Sequence, residues 1–297
     1  MPSVKISAFV ITLNEEHNIE YCLRSVQPWC DEVIVVDLES DDRTREIAER
    51  YADVFVRHER IADFGLARQA GLDHATGDWI LSIDADEVVT PGLARWIREF
   101  IDSDPDYDVA RIPRINVFLG RRLRSTPWWP GKPRLFRRGG VAITPELHSG
   151  ITPVHGARIA VLPRSSAISL WHFTRVSLES VADKWNRYTT IEARRAIETG
   201  QGDPRMFELF SDALRELGVY VVKRGYRDGI GGLAYAMSRS YAKFLLAAKR
   251  WDQPRSGLRQ ARYDALREHI LRGFGDAGRP LTPREAAMRT DGEETRA

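Results

Sequence analysis

Val4 to Leu13 is an almost unbroken apolar run that ends in polar residues, a pattern that predicts a short strand buried on both faces. It stops at Asn14-Glu15-Glu16, after which Ile19, Cys22, Leu23 and Val26 recur at helical spacing. Glu32 to Val36 predicts a second strand that runs into Asp37. Asp41-Asp42 then offer a cap for a helix whose inner face carries Ile47, Ala48 and Tyr51. Val54-Phe55-Val56 reads as a third strand, and Phe64 to Ala75 as a helix closed by Gly77. Trp79 to Ile83 is a fourth strand, and Thr90-Pro91 opens a helix with Leu93, Trp96, Ile97 and Phe100 on one side. Strand and helix alternate four times in about the first hundred residues, which predicts an α/β fold built on a doubly wound, mostly parallel sheet.

Beyond Val176 the period becomes helical. Leu178, Val181, Trp185 and Tyr188 make one apolar stripe, and Met206, Leu209, Phe210, Ala213, Leu214 and Leu217 a second. Leu233, Met237, Phe244, Leu245 and Ala248 make a third; packing against the sheet or one another is the expected fate of all three. From Asp276 the chain is rich in Gly, Pro and charge, a composition that predicts disorder. The pattern therefore divides into a sheet domain over residues 1–175, a helical extension over 176–252, and a short helix with a polar tail over 253–297.

Composition changes this picture little, but charge changes it a good deal. The 297 residues are 43% hydrophobic, enough for a real core, and the two cysteines, Cys22 and Cys30, lack metal-ligand spacing and read as reduced structural thiols. No run of 18 apolar residues and no basic-then-apolar leader is present, so the expected location is the cytoplasm. Through Ala110 there are 10 Lys and Arg against 24 Asp and Glu; from Arg111 onward there are 34 against 18. An acidic first part and a basic second part imply different tasks, the basic part favouring nucleic acid, anionic lipid or a phosphorylated ligand.

The chemistry gathers where the fourth strand ends in Asp84-Ala85-Asp86-Glu87. In an extended chain Asp84 and Asp86 point the same way, and two adjacent carboxylates repel unless a cation lies between them. Oxygen ligands of this kind suit a hard divalent ion shared with phosphate oxygens. An idle, solvated acidic turn is the plain alternative. Two further strand ends are polar, Thr12 to Glu15 and Asp37 to Asp42, and ligands of such sheets bind at the carboxyl ends of strands. No G-x-G-x-x-G follows the first strand, which argues against a dinucleotide.

Three stretches carry a family likeness: Ile-Thr-Leu-Asn-Glu-Glu from Ile11, Val-Val-Asp-Leu-Glu-Ser-Asp-Asp-Arg-Thr from Val35, and Ala-Thr-Gly-Asp-Trp-Ile-Leu-Ser-Ile-Asp-Ala-Asp-Glu from Ala75. They resemble family-2 glycosyltransferases of the GT-A fold. Pro127-Trp128-Trp129-Pro130, Arg134-Leu135-Phe136-Arg137-Arg138, Trp171-His172-Phe173, Lys184-Trp185-Asn186-Arg187-Tyr188 and Lys223-Arg224-Gly225-Tyr226-Arg227-Asp228-Gly229 extend the resemblance to the branch acting in lipopolysaccharide core assembly. The resemblance implies an inverting transferase that moves a hexose, glucose first, from a nucleoside-diphosphate sugar such as a UDP-hexose to a cell-envelope glycan or glycolipid, with no nucleic acid involved. It implies Mg²⁺ or Mn²⁺ at Asp86, with Asp84 on the ribose or the ion's water shell. It places Thr12, Asn14, Glu15, Asp37, Arg68 and Arg134 on the sugar nucleotide. Gln69 replaces the family's Asn after Arg68.

The general base stays open at this stage. His148 is retained in Pro145-Glu146-Leu147-His148-Ser149-Gly150, but Ser149 stands where the branch carries Glu. Glu146 is the base, His148 is the base, or the acceptor is already ionised and needs none. His172 reads first as a hydrogen-bonded core histidine and second as a metal ligand. Lys223, Arg224, Arg227 and their neighbours, interleaved with apolar stripes, fit either solvated helix faces or a peripheral contact with an anionic membrane. Two rivals are a nucleotidyltransferase, which a Gly-rich loop in place of Ile11 to Glu16 would favour, and a non-catalytic membrane scaffold, which Asp84 and Asp86 argue against.

Overall fold

The computed structural model describes residues 4–60, 64–124, 131–143, 150–163, 165–174, 177–272 and 282. The first part holds strands β1 (Ile6–Thr12), β2 (Glu32–Asp37), β3 (Val54–Arg57) and β4 (Trp79–Asp84), alternating with helices α1 (Ile19–Val26), α2 (Thr44–Ala48) and α3 (Phe64–His74). Then come β5 (Glu87–Val89), α4 (Pro91–Asp102), β6 (Val109–Ile112), β7 (Arg114–Phe118), β8 (Arg121–Arg122) and β9 (Lys132–Arg137). Strands β10 (Val141–Ile143), β11 (Ile151–Pro153), β12 (Ile159–Val161) and β13 (Leu170–Phe173) complete the β part. Helices α5 (Leu178–Glu198), α6 (Met206–Val222), α7 (Gly229–Asp252) and α8 (Arg259–Leu271) follow.

The main sheet has the order β12-β6-β9-β4-β1-β2-β3, with β1 to β4 parallel and β9 set antiparallel between β4 and β6. This is the mostly parallel α/β sheet that the alternation predicts. Successive residues of β1 serve opposite faces. Ile6, Ala8 and Val10 join α1 and α4 in one core cluster, while Phe9 and Ile11 join α3 in the other. Helix α4 starts where its sequence says: Thr90 Oγ1 accepts from the Leu93 N–H at 3.2 Å, with Pro91 in the first turn. Gly77 is required by close approach, since a Cβ there would lie 2.6 Å from the Ser7 nitrogen.

A second sheet, β5-β13-β7-β8, stands beside the main one, and β10 pairs with β11. The helical extension docks through Phe118, Leu123 and Val181, with Trp185 and Tyr235 packed on them and the Phe118 and Tyr235 rings edge to face at 5.4 Å. The first stripe thus packs as expected through Val181 and Trp185, whereas the second and third differ from the expectation. α6 buries no residue, and the buried positions of α7 are small: Gly232, Ala236, Ser240, Ala242 and Ala247. Small residues let α7 run close between α5 and α6, so the larger Phe210, Leu214, Leu233 and Met237 are left exposed.

Candidate functional site

Asp84 is the last residue of β4, but Asp86 lies in the turn before β5, so the two acids do not share one strand face. Each has its own partners instead. Asp84 accepts from Arg134 Nη2 at 2.7 Å and from Arg68 Nη2 at 3.2 Å. Burial pushes its carboxyl up, yet Arg134 and Arg68 outweigh that and hold it well below the usual range. Glu87, fully buried, takes Arg134 Nη2 at 2.7 Å and Arg114 Nη1 at 3.1 Å, and its other oxygen accepts the Asp84 N–H. Arg134 reaches both acids because β9 runs antiparallel beside β4, with Leu135 opposite Leu81. The third acid of the motif thus anchors the arginine that flanks the first.

Asp86 has a different neighbour. Its Oδ2 lies 3.1 Å from His172 Nε2, and the opposite ring nitrogen, Nδ1, lies 2.8 Å from Asn116 Oδ1. Strand register dictates this row: β13 places His172 opposite Glu87 on one side and opposite Asn116 on the other. Burial raises the Asp86 carboxyl, but His172 outweighs it and brings the value down to about 2. Asn116 Oδ1 accepts from Nδ1–H and so fixes the ring with Nε2 toward Asp86. One ionised carboxylate and one imidazole, both lining a cleft, fit a divalent cation that completes its shell with phosphate oxygens and water. Asp84, already gripped by two guanidinium groups, does not fit as a direct ligand.

The cleft, of about 350 Å³, runs from the end of β1 to the helical extension. At the β1 end it is lined by Thr12, Leu13 and Glu15, and the buried Thr12 Oγ1 has no hydrogen-bond partner among the described residues. Asn14 and Asp37 serve a neighbouring loop. Asn14, at a φ of 54°, accepts from the Asp41 N–H, and Asp37 takes both the N–H and the hydroxyl of Ser40. Asp37 is nonetheless Thr12's register partner and borders an adjacent depression with Ser40 and Arg57. Glu146, His148 and the Trp128-Trp129 pair lie outside the described residues. Gly150 is described, and its backbone packs on Arg68: a Cβ there would come 3.0 Å from Nη1.

Sequence reasoning missed Glu87 as the buried anchor, Asn116 as the partner of His172, and Glu192, a second-half carboxylate that also lines the cleft. Only strand register and helix docking bring these to the site. Among the described residues, no helix is long and apolar enough to cross a membrane.

Relatives match most of the chain in sequence. The lipopolysaccharide core biosynthesis glycosyltransferase LpsC of Rhizobium meliloti (strain 1021) is 28% identical over 267 residues, covering 84% of this chain and 93% of its own. An uncharacterized glycosyltransferase of Rickettsia bellii (strain RML369-C) is 28% identical over 254 residues, covering 82% and 85% respectively. Among solved structures, S. aureus TarS 1-349 in complex with UDP-GlcNAc matches with a TM-score of 0.47 at 16% identity, over 86% of this chain and 92% of that one. Glucosyl-3-phosphoglycerate synthase of Mycobacterium tuberculosis, in complex with Mg²⁺ and UDP, matches with a TM-score of 0.46 at 18% identity, over 68% and 81%. The family description Glycosyl transferase family 2 matches residues 7–160, just over half of the sequence and the very segment that carries β1, β4 and the acidic turn, and to that family the chain belongs.

Proposed function

We propose that this glycosyltransferase moves a hexose, glucose first, from a UDP-hexose to a cell-envelope glycan or glycolipid, with inversion at the transferred carbon. The observation that carries the reading is the Asp86–His172 pair, 3.1 Å apart at the end of β4 and beside a cluster of arginines. Mg²⁺ or Mn²⁺ bound by these two side chains would neutralise charge on the departing diphosphate. Arg68 and Arg134 hold Asp84 ionised and in place, so that it accepts from ribose or from the ion's water. Thr12 and Glu15 face the nucleoside, and Asp37 and Asn14 shape the loop behind it. The base is Glu146 or His148, or the acceptor is already ionised and needs none; Gly150, just beyond them in sequence, packs on Arg68.

Residues 1–175 form the catalytic unit on this reading, 176–252 the helical extension and 253–297 a tail. The extension also meets the inner face of an anionic membrane. What supports this is an exposed apolar face on α6 and α7 with Lys223, Arg224 and Arg227 exposed at the turn between them.

A thermal-shift screen of nucleoside diphosphates and their sugars with Mn²⁺ tests the donor, and UDP is expected to give the largest rise. Asp86→Ala should abolish both the Mn²⁺-dependent part of that rise and turnover. A variant that stays fully active without divalent metal would remove the mechanism.

A further inference from the structure

Helix α5 presents Val181, Lys184, Trp185, Tyr188 and Glu192 to the cleft, a spacing of three and four residues that marks one helix face. Val181 and Trp185 anchor that face to Phe118, so the wall is fixed to the sheet rather than hung from a loop. Lys184 Nζ lies 5.8 Å and Arg187 Cζ 5.9 Å from the centre of the same Tyr188 ring. Neither cation has an ion pair among the described residues, whereas Arg68, Arg134 and Arg239 are each matched by a carboxylate. Glu192 is the one acid on this face of α5. Six basic side chains line the cleft, Arg68, Arg114, Lys132, Lys184, Arg187 and Arg239, against four acids, Glu15, Asp84, Asp86 and Glu192.

We propose that this face of α5 is the acceptor subsite and that the acceptor is a saccharide bearing a phosphate group, with Trp185 and Tyr188 against the sugar and Lys184 and Arg187 on the phosphate. Aromatic rings suit the apolar face of a pyranose, and two cations match a dianion. The proposal rests on the transferase reading above and narrows its acceptor.

The full chain, saturated with UDP and Mn²⁺, is titrated by calorimetry with glucose, glucose 6-phosphate and inorganic phosphate. Glucose 6-phosphate is expected to bind at least about tenfold more tightly than glucose, the gain of one charge-assisted contact. Lys184→Met with Arg187→Met should erase that preference, and Lys184→Arg should keep it, with melting temperatures checking that each variant folds. Trp185→Leu should weaken the sugar phosphate without weakening inorganic phosphate. Equal binding of glucose and glucose 6-phosphate, a preference that survives the double variant, or inorganic phosphate binding as tightly as the sugar phosphate would each overturn the proposal. Failure of UDP to bind at all would instead bring down the transferase reading beneath it.

Discussion

At the scale of single residues the site is a set of charges already balanced by the protein. Arg134 is buried between Asp84 and Glu87, so Arg134→Met takes the shared partner from two carboxylates and leaves Asp84 only Arg68 and Glu87 only Arg114 as cations. It should cost about 3–5 kcal/mol in a urea melt. Arg68→Met leaves Asp84 its stronger partner and should cost about 1 kcal/mol or less, because both side chains keep some water contact. Asn116 touches His172 rather than any ligand, and Asn116→Ala should weaken Mn²⁺ by about 10–100-fold, read by titration of the ion. The acids themselves were legible in the sequence, because a strand that ends in Asp-Ala-Asp is a local pattern. Their partners were not. His172 lies 86 residues from Asp86, and only the register of β5 on β13 brings the two together.

At the scale of elements, periodicity located the helices and misjudged what α6 and α7 bury. The stripes on α6 and α7 have the spacing of a packed face, yet the contact between these helices runs through Ala213 and Ser240, with Arg239 paired to Glu216 beside it. A hydrophobic period says which side of a helix is apolar; it does not say whether a neighbour arrives. The Glu216 carboxyl is held below its ordinary value of 4.5 by the hydrogen bonds of Arg239, against an opposing push from burial. Its stabilising share is therefore complete above that ordinary value and disappears as pH falls through the lower folded one. Calorimetric melts between about pH 3 and 7 should show the wild type losing stability at the acid end, with Glu216→Gln losing less.

At the scale of the whole molecule, the acidic first part and the basic second part meet across one cleft, which composition alone left unassigned. The outward face of the α6–α7 pair has Phe207, Phe210, Leu214 and Val221 on one helix and Ile230, Leu233, Met237 and Tyr241 on the other, all exposed. On vesicles containing anionic lipid the protein should float at low salt and detach as salt rises. Phe210→Glu with Leu214→Glu should keep it in the soluble fraction, and a doubled mass in sedimentation without flotation would assign the face to a second copy.

The reversed strand β9 has one more effect, on the order of assembly. During synthesis β1 to β4 emerge first and can pair among themselves, yet one edge of β4 finds its partner only when residue 137 has left the ribosome. Until then a row of unpaired amides and carbonyls beside Trp79, Ile80 and Leu81 stands open to any passing chain. A chain cut off after α4 would keep that edge open for good and should aggregate, although it carries every acid of the motif.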